Sequence, residues 1–572
     1  MRIIVPLSYS DLFAGEIPTL EEILIGIPSE TVIAILSLIN SQLYLGDKIT
    51  VQIKIFDLLL KRQSNEIRAN LFTKLKKKIE KEPTTEFFSA LYIMEFMHYE
   101  FANYRYVKIE DTNPEQELLI FKAYFIIIEQ VHSKYTDSLA LNRNVSADFF
   151  DKMTWPTLID QFEINQNINP MTGMIKALTL LNYLQFHSPY EIYVTSFLSK
   201  YKKNTSWDYI IGLFNLIKKG WEIGNEDPNK LYPFALTETE EYATLLNNFT
   251  ISIAKYKEIY SDSKRNFSGF KDKPLFKYKS GTYLVINWNF LSNKLYEGFI
   301  FDFYSQSGIS DIEKFKSFTS FKSFVASEIT EKIIFRKLIK KCFPKHIDSL
   351  AFDENNIDNF PDAYLRQGKH IFLFEIKDAF FSTKPINSLS YLDIKGEIDR
   401  KYNNAKKGTG QIVNQLEKLK MFSFENRSLE EVKIKIRNLV IYPVIIYTDS
   451  IFNLPGVNQY LVRELNDKIK EKKLNLSFQK IHELTFINLS FLIDNIHFFS
   501  NPNLKFKKLI YDFHEQLKSA KKKHLFQTEM ANFFAMYDTF EQIIGTKYSL
   551  EINKNRNYIK TIMEALDLTE GL

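Results

Sequence analysis

Two carboxylates and a lysine stand close together in the middle of this chain, in the stretch FPDAYLRQGKHIFLFEIK (residues 360–377). Asp362 follows a proline, and Glu375 and Lys377 bracket Ile376 at the end of an apolar run. Carboxylate oxygens from Asp362 and Glu375, with the backbone carbonyl of Ile376, make an all-oxygen set that suits Mg²⁺ or Mn²⁺ rather than zinc. A hard cation held there polarises a phosphoryl oxygen and lowers the pKa of a bound water. Lys377 beside it can orient or deprotonate that water and offset the negative charge that develops. The chemistry is phosphodiester hydrolysis by in-line attack.

These residues need a hairpin to bring them together. Residues 363–366 are strand-like, Gln367-Gly368 supplies a turn, and residues 370–376 form a second strand. A two- or four-residue loop sets Asp362 opposite Leu373, while alternation puts Leu373, Glu375 and Lys377 on one face. Asp362 is then diagonal to Glu375, within about 7 Å. A three-residue loop would turn it away. The other face, with Phe372, Phe374 and Ile376, needs an apolar cover, and the helical pattern over residues 321–338 is the candidate. The face with the charges is expected to stay exposed. A bare Glu-x-Lys is worth little, since Glu471-Lys472-Lys473 also fits it within a charged helical run. The bland alternative is an ordinary hairpin with an exposed Glu–Lys pair.

Residues 321–450 resemble the PD-(D/E)xK nuclease superfamily, which includes restriction endonucleases and archaeal Holliday-junction resolvases. Its core is a helix bearing a Glu, a β-hairpin with Asp and (D/E)xK, a helix and a further strand. Asp362, Glu375 and Lys377 match the acidic and lysine positions. The resemblance implies Glu331 as the helix carboxylate, followed at helical spacing by Ile334 and Leu338, with Glu328 as the alternative. It also gives Gln411 a contact to phosphate or to the attacking water. Gln411 opens the helix of GTGQIVNQL (residues 408–416), where free amides and the helix dipole favour an anion. Gln415, one turn on, is expected to be structural, and Lys406 and Lys407 either touch a nucleic-acid backbone or are solvated. The strand NLVIYPVIIY (residues 438–447) completes the set.

The implied architecture is an α+β or α/β multidomain protein with a restriction-endonuclease-like mixed-sheet core. The implied activity is a Mg²⁺- or Mn²⁺-dependent nuclease, a DNA endonuclease first of all. The long helical region before the core is similar to that of bacterial restriction and anti-phage effectors, a fold-level analogy. A DNA repair nuclease is one alternative. A catalytically silent module that binds nucleic acid or protein is another. Double-strand cutting from a single site implies a homodimer, and the helical region implies a protein partner.

At 572 residues the chain exceeds what one core organises. Residues 1–270 are mostly helical, with apolar spacing at Phe56, Leu59 and Leu60, at Ile67, Leu71 and Leu75, and at Phe121, Tyr124, Phe125, Ile128 and Val131. Turn signals fall at Asn113-Pro114, Asn169-Pro170, Ser188-Pro189 and Asp227-Pro228. The texture changes near Pro274, where residues 275–286 form a hairpin around Ser280-Gly281, followed by a helix over 290–304. Residues 271–500 are the nuclease-like domain, with a polar insertion over 378–407, and residues 501–572 are a helical end.

The net charge of +5, from 74 Lys+Arg against 69 Asp+Glu, makes any phosphate-binding surface a local patch. The basic run KSAKKKH (residues 518–524) is such a patch or a solvated helix face. The single cysteine, Cys342, excludes an intrachain disulfide or a thiolate cluster and points to a reducing, cytoplasmic setting. It is expected to be an apolar filler. No apolar run reaches membrane-spanning length, so no membrane association is expected. No phosphate-binding loop of the GxxxxGK(S/T) type occurs, so energy-dependent steps would need a partner.

Overall fold

The structure, a computed structural model, describes residues 5–44, 49–82, 85–107, 112–146, 148–165, 169–226, 234–260, 267–354, 357–421, 424, 435–526, 530–550 and 557–568. The first half is built of helices. Pro114–Asn142 begins where the Asn113 side chain accepts the Gln116 N–H, with proline in the first turn, where its missing N–H costs nothing. Asn169 caps Pro170–Phe186 in the same way, accepting from Met171. Both Asn-Pro pairs are therefore helix starts. Ser188-Pro189 does turn the chain, before helix Glu191–Lys200, whereas Asp227-Pro228 lies outside the described residues. Phe56, Leu71, Leu75, Phe121, Phe125 and Val131 meet in one apolar cluster.

The hairpin after Pro274 forms from strands Leu275–Lys279 and Thr282–Val285. Gly281 closes it at φ 71°, a conformation that costs glycine little. Strand Ala235–Thr237 pairs antiparallel with Thr282–Val285. This small sheet packs both ways, with Phe276, Leu284 and Ile286 in the cluster of Phe101 and Phe125 and Leu236, Leu275, Tyr283 and Val285 in the cluster that also holds Phe372 and Phe374. The single helix expected over 290–304 is two, Trp288–Asn293 and Glu297–Gln306.

The second sheet holds Glu375 and Lys377. Its strands are β1 (Leu350–Ala351), β2 (Ala363–Gln367), β3 (His370–Lys377), β4 (Val440–Tyr447), β5 (Lys480–Ile481) and β6 (Thr485–Asn488). The order is β5-β4-β3-β2-β1, with β6 also paired to β4. β3 runs antiparallel to β2 and parallel to β4, so the sheet is mixed. Every residue of β4 is buried, as a strand covered on both faces requires.

One face is covered by an unbroken helical run: α1 (Phe318–Phe324), a π-helical segment over Val325–Phe335, and α2 (Arg336–Cys342). Phe321, Val325, Ile329, Phe335 and Leu338 of this run share a core with Phe372, Phe374 and Ile376 of β3. The anticipated cover is thus present, though its middle is π-helical rather than α-helical. The opposite face lies under α3 (Tyr391–Tyr402), α4 (Thr409–Leu419) and α5 (Val457–Glu471). These bring Ile398, Ile412, Leu416 and Leu461 onto Leu373, Ile441 and Ile445. The face expected to be exposed is therefore buried as well. The polar insertion over 378–407 is itself helical, holding Thr383–Ser388 and α3.

The Gly408-Thr409-Gly410 turn lets α4 start hard against the end of α3. A Cβ on Gly410 would lie 2.1 Å from the Asn404 carbonyl oxygen. One apolar cluster includes residues from Met174 to Leu568. Among the described residues, no helix is long and apolar enough to cross a membrane.

Candidate active site

The β2–β3 turn is Gly368-Lys369, with Gly368 at φ 63°, and the ladder runs from Gln367↔His370 to Ala363↔Phe374. One step further, Asp362 stands across from Glu375 rather than Leu373. The turn sits one residue later than Gln367-Gly368, which moves every partner by two. A shift of two keeps the face and replaces a diagonal neighbour with a direct one. Asp362 Oδ2 accepts the Ile376 N–H at 2.7 Å. In an extended strand the N–H and C=O of one residue point the same way, so the Ile376 carbonyl emerges beside Asp362.

Lys377 Nζ lies 3.0 Å from Glu375 Oε2 and 3.8 Å from Asp362 Oδ2. The other Glu375 oxygen accepts a hydrogen bond from Gln415 Nε2, across from α4. Glu375 has no solvent exposure, whereas the Lys377 side chain keeps 20%. An exposed Glu–Lys pair was anticipated, and the carboxylate is instead sealed under α4. Gln415, expected to be structural, is the helix residue that touches the acid. Gln411 sits one turn earlier on the same stripe, and its Oε1 is buried without a hydrogen-bond partner. The signal that could have found Gln415 is this i, i+4 spacing on an amphipathic helix.

Of the two helix glutamates, Glu331 is the one within electrostatic reach of Asp362 and Lys377, with Arg336 Nη2 at 3.8 Å. Glu328 pairs instead with Lys332 at 2.7 Å. Both belong to the π-helical segment, where the Arg336 N–H reaches back five residues to the Glu331 carbonyl. Sequence reasoning had no means of seeing that local widening.

Burial pushes the Glu375 carboxyl well above the usual carboxylate range, and the neighbouring Asp362 charge adds to it, with Lys377 and Gln415 offsetting only part. Glu331 is raised for the same two reasons, burial first and Asp362 second. Burial alone would lower Lys377, yet Glu375 and Asp362 outweigh it and hold the ammonium more firmly than usual. Two carboxylates thus lie against one ammonium, with Glu331 within its electrostatic reach. As the groups stand, Lys377 holds its proton and is a fixed positive charge rather than a base.

No protein-family model, curated protein or solved structure matches this chain. What the site can hold is therefore decided by its own donors. Among the described residues, no three His, Cys, Asp or Glu side chains stand close enough to hold a metal by themselves. Asp362 and Glu375 supply two carboxylates, and the Ile376 carbonyl is the third oxygen. Lys377 Nζ already bridges the two acids as a cation would, in a site with surplus negative charge. The donor set fits a hard divalent ion.

The remaining candidates separate cleanly. Glu471, Lys472 and Lys473 are exposed at and beyond the end of α5, with Lys472 paired to Glu417 at 2.7 Å. Lys406 and Lys407 are exposed. Residues 518–524 lie on helix Phe506–Phe526, where Lys518 pairs with Glu483 and Glu515. Cys342 is buried, which pushes its thiol up to about 12 and leaves it a filler.

Proposed function

We propose that this chain is a metal-dependent nuclease of the PD-(D/E)xK type that hydrolyses phosphodiester bonds. The observation that carries the proposal is the convergence of Asp362 and Glu375 on Lys377 at the end of a strand buried on both faces. A bound Mg²⁺ or Mn²⁺ supplies Lewis-acid stabilisation of the phosphoryl charge. Asp362, Glu375 and the Ile376 carbonyl hold it. Lys377 keeps its proton and sets an ammonium against the charge of in-line attack, orienting the water as it does so. Gln415 fixes the Glu375 carboxylate, while Glu331 and Gln411 line the approach. DNA cut endonucleolytically is the first substrate to test, and bacterial restriction or anti-phage defence is the setting suggested by analogy alone.

The test is incubation with Mg²⁺ or Mn²⁺ and a panel of linear, circular and single-stranded DNA and of RNA. Wild type is expected to cut at least one of them. Lys377→Ala and Asp362→Ala are each expected to lose about a hundredfold to a thousandfold in rate while staying folded. Cation binding with no cleavage of any substrate would instead mark a catalytically silent module.

A further inference from the structure

Three phenylalanines from separate segments form a tier next to the site. Phe301 stacks on Phe318 with centroids 4.0 Å apart and planes at 12°. Phe380 lies 5.6 Å from Phe301 and 6.4 Å from Phe318, tilted by 20° and 9°. Those three separations put Phe318 and Phe380 at roughly a right angle seen from Phe301. Phe318 therefore covers one face of Phe301, and Phe380 sits beside its edge. Among the described residues no other ring stacks on Phe301, which is 48% exposed. Phe318 and Phe380 are anchored against the apolar core beneath.

The tier adjoins the proposed active site. Phe380 is three residues beyond Lys377, a span of at most about 11 Å. Asp378, between them, is tied to Lys322 at 2.6 Å, and the Lys322 ammonium sits 4.4 Å over the Phe380 ring. Lys401 lies within electrostatic reach of Lys322, Arg400 and Lys407, and Lys316 and Lys384 are exposed nearby in the chain. Phe301 is a half-exposed ring backed on one face by Phe318, and such a π-surface is what an unpaired base can stack on.

We propose that Phe301, Phe318 and Phe380 are a base-stacking platform, and that the site takes single-stranded or locally unpaired nucleic acid. Bases in a duplex are already stacked on both faces, so a side-chain ring can meet only an unpaired one. The inference rests on the nuclease reading for its purpose, but its binding step needs no metal.

The test measures binding of a fluorescent dT₁₂ oligomer, its RNA counterpart rU₁₂ and a 12-base-pair duplex to the full chain in EDTA. Wild type is expected to hold the single strands more tightly than the duplex at matched salt. Phe301→Ala is expected to weaken single-strand binding about tenfold and leave the weak duplex binding unchanged. Phe301→Leu keeps apolar volume without a ring and should lose as much, while Phe301→Trp should restore binding. The dT₁₂ and rU₁₂ arms tell DNA from RNA. Single-strand affinity that is absent, no greater than for duplex, or indifferent to Phe301→Ala and Phe301→Leu overturns the platform. If Lys377→Ala cleaves as wild type while the Phe301 variants lose binding, the nuclease reading fails and the platform stands.

Discussion

Two acid–lysine pairs lie one residue apart on this chain and behave in opposite ways. Asp378 is buried yet held below the usual carboxylate range, because Lys322 at 2.6 Å and the hydroxyls of Thr330 and Thr448 outweigh the effect of burial. Glu375 is raised, first by burial and then by the Asp362 charge, with Lys377 and Gln415 offsetting only part. In the first pair each carboxylate oxygen also accepts a hydroxyl hydrogen bond, Oδ2 from Thr330 and Oδ1 from Thr448. That pair ties α1 and the π-helical segment to the ends of β3 and β4. In the second, Asp362 and Glu375 share the single ammonium of Lys377. Two buried carboxyls three residues apart, Glu375 and Asp378, are thus pushed in opposite directions by the groups that face them.

The largest expected effect comes from breaking the Lys322–Asp378 pair. Lys322→Met leaves the Asp378 carboxylate buried without its cation and is expected to cost about 3–5 kcal/mol of stability, read from urea unfolding. Lys377→Met should cost less than half as much, since Glu375 already favours its protonated form and simply takes up a proton. Equal losses in the two variants would mean that both pairs are structural and would remove the contrast.

A smaller effect sharpens the same contrast through pH. The folded state raises the pKa of Glu375, so this group's contribution to stability is full below its ordinary value of 4.5 and is lost as pH climbs through neutrality. The metal-free wild type should therefore melt progressively lower from pH 5 toward pH 8 on the scale of about a few degrees, and Glu375→Gln should flatten that slope. Added Mn²⁺ competes with the proton and should restore the melting temperature at the alkaline end. Asp378 has the opposite sign. Its folded pKa is depressed, so its contribution is present above 3.8 and lost only on further acidification. A Glu375→Gln profile parallel to wild type would show that the carboxylate is not strained.

Much of this site was legible in the residues, and the limits have physical causes. Alternation along an apolar strand is a strong signal, and it placed Glu375 and Lys377 together because a period of two admits no drift. The turn position was off by one residue, and parity survived because a shift of two preserves the face. Exposure was misjudged. Strand β3 pairs with β4, seventy residues ahead in register, and the helices that cover its charged face come from later in the chain. Local alternation cannot report what packs on a face from that distance. Near Pro274 the chain does turn to strand, and the small sheet there packs into two apolar clusters that local pattern could not separate. The aromatic tier joins Phe301, Phe318 and Phe380 across eighty residues and left no local pattern at all.

The smallest effect tests the helical side of the comparison. Glu328 and Glu331 are three residues apart, and straight α-helical spacing lets either face the sheet. In the π-helical segment only Glu331 comes within reach of Asp362 and Lys377, while Glu328 is occupied by Lys332. Glu331→Gln is accordingly expected to slow cleavage about tenfold, in the range of a group that tunes a metal site without being its main ligand. Glu328→Gln should remain within about twofold, as for an exposed i, i+4 pair worth a few tenths of a kcal/mol. If the two exchange roles, the helix is α-helical through residues 325–335 in solution. The widened turn would then not be what aims its carboxylate at the site.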